Sequence, residues 1–204
     1  MIVRPGRLVT VMLALVVCLG PPAVARGADA AAGAEVFRTK QCARCHVPRG
    51  QQGVGPALEE LRRPQGEWEL AGRFWNHVPS MFTGLTRDDV PWPALTPDEI
   101  ANLMAYLQAA PAGDPPVDRL RGHDTLVRKG CLKCHAWRGE GARLAPELTD
   151  KRDAFASAPV WAARIWRHGP TMAALGVARG VLYPRFSGAE MVNLAGFLRE
   201  AAPR

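Results

Sequence analysis

The chain has 204 residues, 48% of them hydrophobic, and carries 26 basic against 19 acidic side chains for a formal net charge of +7. The basic residues form no run interleaved with aromatic residues, so the composition gives no indication of a nucleic-acid-binding protein. The length suits one or two small domains.

Residues 1–30 have the layout of a secretory signal peptide, with cleavage near residues 25–30. Basic residues precede an apolar stretch from Leu8 to Leu19, and Ala23-Val24-Ala25 is a cleavage site of small residues. The stretch has 12 residues, whereas a bilayer needs about 20, so we expect a periplasmic protein whose mature chain has no transmembrane segment. A lipid anchor at Cys18 is the alternative, but Val17 stands where such signals usually have a small residue.

The first half is predicted to contain short helices. The pattern predicts one helix from Ala31 to Lys40, and another from Glu67 to Asn76 that ends before Pro79. The sequence Thr96-Pro97-Asp98-Glu99 is a capping box that begins a last helix. One apolar stripe follows at helical spacing, formed by Ile100, Leu103, Met104 and Leu107.

A five-residue motif follows the first predicted helix and occurs twice, as Cys42-Ala43-Arg44-Cys45-His46 and Cys131-Leu132-Lys133-Cys134-His135. Two thiols at this spacing can form thioethers to one haem, and the adjacent imidazole then binds the iron. The sequence therefore predicts two covalently attached haem c groups, bound by Cys42, Cys45, His46, Cys131, Cys134 and His135. A redox dithiol or a zinc site is disfavoured, because histidine follows the cysteines both times.

The second half repeats the first beyond a segment rich in proline and glycine, residues 111–118, which is either a linker or a tightly pinned crossing segment. The helices predicted in the second half are His123–Lys129, Val160–Arg167 and one that begins near Ser187 and Glu190. We therefore assign one domain to residues 31–110 and another to residues 119–204. Pairs related by a shift of 91 residues are Trp75 and Trp166, His77 and His168, Pro79 and Pro170, Met81 and Met172, and Glu99 and Glu190.

Each half offers two candidates for the second axial ligand of iron, Met81 or His77 and Met172 or His168. We favour Met81 and Met172, because each follows a proline just past a predicted helix end, where the chain can fold back over the haem. His77 and His168 are then expected to hydrogen-bond a propionate or a carbonyl, although bis-histidine ligation stays open.

Four repeated aromatic residues are expected near the haems. Trp75 and Trp166 are predicted to pack on porphyrin and donate their indole N–H to a polar group, with plain core as the alternative. Trp92 and Tyr183 occupy matched positions and are expected to close the distal loops.

Together these motifs resemble the class I c-type cytochromes, specifically a tandem dihaem cytochrome similar to cytochrome c4. The resemblance implies an all-α fold of two tandem helical domains, each around one covalent haem. It also implies that the first and last helices of each domain cross at Gly33 and Gly122, and that the carbonyls of Pro56 and Pro146 accept the ring N–H of His46 and His135.

If protein side chains occupy every open coordination position of both irons, neither oxygen nor peroxide can bind. One-electron exchange is then the remaining chemistry. The sequence thus predicts an exported dihaem electron carrier rather than an enzyme, with other cytochromes, a dehydrogenase or a terminal oxidase as redox partners. The alternatives are an electron-transfer subunit of a larger periplasmic oxidoreductase, a haem-based sensor, or a dihaem peroxidase-like enzyme.

Overall fold

The computed structural model describes residues 27–149 and 152–201 and is mostly helical. Cys18 and all but the last four residues of the predicted signal segment lie in residues 1–26, outside the described part. The helices are α1 (Ala30–Thr39), α2 (Leu58–Leu61), α3 (Glu67–Arg87), α4 (Pro97–Tyr106), α5 (Arg119–Arg128), α6 (Ala158–Ala178) and α7 (Glu190–Ala201).

The strands of the described residues are two residues long and form two small pairs. The parallel pair joins β1 (Gln65–Gly66) to β2 (Ala109–Ala110), so it fastens the start of α3 to the chain that follows α4. The antiparallel pair joins β3 (Ala136–Trp137) to β4 (Glu140–Gly141) just after the second cysteine motif.

The first and last helices of each half cross at a glycine, as the resemblance implied. A Cβ on Gly33 of α1 would overlap the carbonyl oxygen of Asn102 on α4, and Gly122 of α5 has the same relation to Asn193 on α7. Only glycine fits at these two positions, because the backbones of the two crossing helices are in direct contact there.

The predicted helix starts are explained by their caps. Thr96 and Glu99 form the expected reciprocal capping box, with the Glu99 N–H donating to Thr96 Oγ1 at 3.2 Å and the Thr96 N–H donating to Glu99 Oε2 at 2.9 Å. The prediction for α5 began too late, at His123, because Asp118 caps the helix by accepting the Arg121 N–H at 3.1 Å.

The two middle helices are longer than predicted. The expectation that they end before Pro79 and Pro170 is wrong, since α3 and α6 each run for 21 residues with the proline inside. A proline within a helix leaves the carbonyl four residues earlier without its N–H partner. Both orphan carbonyls find donors from the other half of the chain, as described below, and this compensation lets the helices continue.

The buried apolar residues of both halves form one continuous core. The helices α3 and α6 pack against each other where Gly169 meets Val78, and a Cβ on Gly169 would lie 2.7 Å from Val78 Cγ1. These two positions are related by the same 91-residue shift, so equivalent points of the repeat meet at the contact.

The segment between the halves is pinned to the fold. The Asp114 carboxylate accepts the backbone N–H groups of Trp68 at 3.0 Å and Glu69 at 3.2 Å, and so supplies the cap that Gly66 cannot give α3. Asp114 thus holds this segment against the start of α3.

Candidate haem-binding sites

Each cysteine motif folds as one tight turn. A left-handed residue, Gln41 with φ 69° or Gly130 with φ 73°, ends the preceding helix and begins a 3-10 turn, Cys42–Arg44 or Cys131–Lys133. The N–H of His46 then donates to Cys42 O at 3.0 Å, and the N–H of His135 donates to Cys131 O at 2.9 Å. The two thiols and the imidazole of each motif are thereby presented from a single turn.

The orientation of each imidazole is set by a proline carbonyl. Nδ1 of His46 donates to Pro56 O at 3.0 Å, and Nδ1 of His135 donates to Pro146 O at 2.8 Å. A carbonyl only accepts, so Nδ1 carries a proton, and in the neutral tautomer Nε2 then keeps a lone pair that can bind a metal. Gly55 lets the chain approach His46 this closely, because a Cβ there would lie 2.6 Å from the imidazole Cε1.

The thiols are suited to covalent attachment. All four motif cysteines are free, and burial raises the pKa of Cys42 and of Cys131 to about 11. Burial thus favours the neutral form of these two thiols. Two thiols, an imidazole with a free Nε2 and a flanking apolar core fit a haem c group.

The four distal candidates lie on the proline-containing helices. Met81 and Met172 lie within α3 and α6 rather than past a helix end as predicted, and both are partly buried against the core. The histidines differ between the halves. The His77 and His46 ring centroids are 5.5 Å apart, whereas Nδ1 of His168 donates to Arg164 O of its own helix at 2.9 Å.

The environment of His77 keeps its imidazole neutral. Burial, with smaller effects from His46 and Arg185, lowers the pKa of His77 to about 4. A neutral imidazole is the form that can bind a metal.

The repeated tryptophans exchange hydrogen bonds between the halves. Nε1 of Trp75 donates to Pro184 O at 2.6 Å, and Nε1 of Trp166 donates to Pro93 O at 2.7 Å. The predicted polar acceptor thus exists for both indoles, and it is a carbonyl of the opposite half.

Trp92 and Tyr183, which are expected to close the distal loops, each stack on a tryptophan of the opposite half. Trp92 stacks on Trp166 with centroids 4.3 Å apart, and Tyr183 stacks on Trp75 at 4.9 Å. Nε1 of Trp92 donates to Trp166 O at 3.1 Å, and the Tyr183 hydroxyl donates to Trp75 O at 3.3 Å. These acceptors are the two carbonyls that Pro170 and Pro79 leave free.

Asn76 is an interface residue that the sequence interpretation missed. Its Nδ2 donates to Phe186 O at 2.6 Å, and its Oδ1 accepts the Phe186 N–H at 2.7 Å. The repeat gave no signal for this pair, because Arg167 and Leu95 occupy the equivalent positions.

Residues 30–111 match the family model described as Cytochrome c. This match contains the first cysteine motif, supports a class I c-type cytochrome and implies a covalent haem c that serves in electron transfer. A comparison with curated proteins gives no match. Within residues 27–149 and 152–201, no helix has both the length and the apolarity needed to cross a membrane.

Proposed function

We propose that the protein is an exported dihaem cytochrome that carries single electrons between redox proteins. The observation that carries the proposal is the geometric repeat of the site. In both halves a left-handed residue, a 3-10 turn bearing both thiols and a proline carbonyl at 2.8–3.0 Å from the histidine Nδ1 recur together. The family match supports the first site, and the same hydrogen bonds around His135 support the second.

In this proposal the residues of the chain bind, orient and cover the cofactors. The cysteine pairs attach the haems, and the proline carbonyls hold His46 and His135 with Nε2 toward the metal. The haem supplies one-electron exchange when bound. Met172 would supply the second protein ligand of the second haem iron. For the first iron the predicted Met81 competes with His77, which faces His46.

The number of haems is tested by the intact mass and the haem absorbance of the exported holoprotein. We expect two haems per chain, one after Cys131→Ser with Cys134→Ser, and one after the matched pair Cys42→Ser with Cys45→Ser. A wild-type protein with a single attached haem would refute the dihaem proposal.

Carbon monoxide separates the carrier from the enzymatic and sensor alternatives. A carrier whose irons are filled by protein ligands should take up carbon monoxide slowly or not at all after reduction. Rapid uptake by the wild-type protein would favour a peroxidase-like enzyme or a sensor. Purification of the native protein in a stable complex with a periplasmic dehydrogenase or oxidase would favour the subunit alternative.

A further inference from the structure

The two halves present their distal histidines differently although the sequence repeats them at the same spacing. His77 faces the proximal His46, with ring centroids 5.5 Å apart and planes inclined by 48°. His168 lies exposed on α6 and its Nδ1 is held by Arg164 O. The two histidines are therefore equivalent in sequence but differ in their contacts.

The distance between His46 and His77 is close to that of two imidazoles on one iron. Metal–imidazole nitrogen bonds are about 2 Å long, so two such rings on opposite sides of a metal have centroids roughly 6 Å apart. An outward shift of less than about 1 Å would bring the observed pair to this separation.

A non-ligating position for His77 on the distal face is less compatible with this distance. An iron bound to Nε2 of His46 lies roughly 3 Å from that ring centre. A ring at van der Waals distance beyond the iron would stand about 3.5 Å further out, whereas a ligating ring would lie roughly 6 Å from the same centre, so the observed 5.5 Å is nearer to the ligating separation. The ligating position therefore needs the smaller displacement of His77.

We propose that the first iron is ligated by His46 and His77, whereas the second is ligated by His135 and Met172. This proposal rests on the dihaem function proposed above and assigns Met81 to packing beside the first haem. Thioether ligation raises a haem potential relative to a second imidazole. The second haem is then the higher-potential site, and an electron entering at the first half passes to the second.

The ligand sets are distinguished by the sulfur-to-iron charge-transfer band of the oxidised holoprotein, measured against the total haem content. We expect a band intensity that corresponds to one methionine-ligated iron per two haems. Met172→Ala should abolish this band, whereas the matched variant Met81→Ala should leave it unchanged. A band that corresponds to two methionine-ligated irons, or one that Met81→Ala weakens, would overturn the assignment.

Histidine variants provide a second, independent measurement. His77→Ala should open the first iron to carbon monoxide after reduction, whereas His168→Ala should leave carbon monoxide uptake at the wild-type level. His77→Met should double the charge-transfer band and raise the lower of the two potentials in a redox titration. Uptake by His168→Ala but not His77→Ala would contradict the proposal.

Failure of this assignment is separable from failure of the dihaem function. Two haems by mass together with two methionine-type irons would refute His77 as a ligand and leave the carrier proposal intact. One haem by mass would refute the carrier proposal itself. If His77→Ala does not accumulate as holoprotein, the wild-type band intensity and Met81→Ala still decide.

Discussion

Gly33 lies where α1 crosses α4, and one added carbon atom would disrupt this crossing. A Cβ on Gly33 would overlap the Asn102 carbonyl oxygen, while a Cβ on Gly84, inside α3, would meet nothing within 4 Å. The same substitution should therefore have opposite effects at the two sites.

We expect Gly33→Ala to lower the free energy of unfolding by about 1–3 kcal/mol, the usual range for overpacking against rigid structure. Gly84→Ala should raise it by about 0.5–1 kcal/mol, because alanine restricts the unfolded chain and favours helix. Urea unfolding of the holoprotein measures both. Equal effects of the two variants would contradict the role given to the crossing.

Two repeated ion pairs give the fold a pH dependence. Lys40 lies 2.9 Å from Glu99, and Lys129 lies 2.8 Å from Glu190. Burial works to raise the pKa of Glu99 and Glu190, but hydrogen bonds from the lysines and from the backbone of Thr96 and Ser187 outweigh it, so both values fall below the usual 4.5.

The folded state thus favours the ionised carboxylates. Their contribution is fully present above the unfolded pKa near 4.5 and is lost as the pH falls through the lowered folded values. We expect Glu99→Gln with Glu190→Gln to reduce the loss of stability at acid pH. The double variant should also lower the free energy of unfolding at neutral pH by about 0.2–1 kcal/mol per pair. Unfolding curves between pH 3 and 7 test this. Lys40→Gln with Lys129→Gln is the matched comparison and should reduce the pH dependence only in part, because the backbone N–H groups of Thr96 and Ser187 still lower the pKa of Glu99 and Glu190. If both double variants lost stability at acid pH as the wild-type protein does, the two ion pairs would not be the cause of the pH dependence.

At the scale of elements, the two proline-containing helices depend on donors from the opposite half. Pro79 frees Trp75 O, which accepts the Tyr183 hydroxyl at 3.3 Å. Burial raises the pKa of Tyr183 above its usual range, so the hydroxyl keeps the proton that it donates. The proline and its distant compensation should therefore be energetically coupled.

We expect Tyr183→Phe to lower the free energy of unfolding by about 0.5–1.5 kcal/mol, because it removes the hydroxyl donor but keeps the ring that stacks on Trp75. In a Pro79→Ala background the backbone N–H of residue 79 can donate to Trp75 O, so the cost of Tyr183→Phe should shrink. A double-mutant cycle from urea unfolding measures this coupling. Additive effects would show that the hydroxyl does not replace the missing helical bond.

At the scale of the whole molecule, local signals were sufficient for most elements. The capping box at Thr96 and the apolar stripe after it depend on residues close in sequence, and the 91-residue shift carried the prediction of a helix start to Ser187 and Glu190 in the second half. The passage of α3 through Pro79 was not predictable, because its compensation comes from Tyr183, far along the chain.

The contacts of the aromatic residues with the opposite half could not be predicted from the sequence for a related reason. The Trp75 and Trp166 acceptors are backbone carbonyls, which have no sequence signature. A shift of 91 residues relates Trp92 to Tyr183, but residues related in this way can contact their own half or the other one. The different settings of His77 and His168 are likewise tertiary features that the identical spacing conceals.

The continuous core implies that the halves unfold together. The contact of α3 with α6 is closed by Val78 against Gly169, where a Cβ would already lie 2.7 Å from Val78 Cγ1. Gly169→Leu should force these helices apart, whereas Gly84→Leu introduces the same side chain on α3 where a Cβ meets nothing within 4 Å.

We expect the wild-type holoprotein and Gly84→Leu to unfold in one transition, with the helical signal and the haem absorbance changing together. Gly169→Leu should separate the transition into two, because each half keeps its own helix crossing while the shared contact is lost. Chemical unfolding followed by both signals measures this. Two transitions in the wild-type protein would mean that the hydrogen bonds and stacked rings between the halves join units that remain energetically independent, and that each cysteine motif is stabilised by its own half alone.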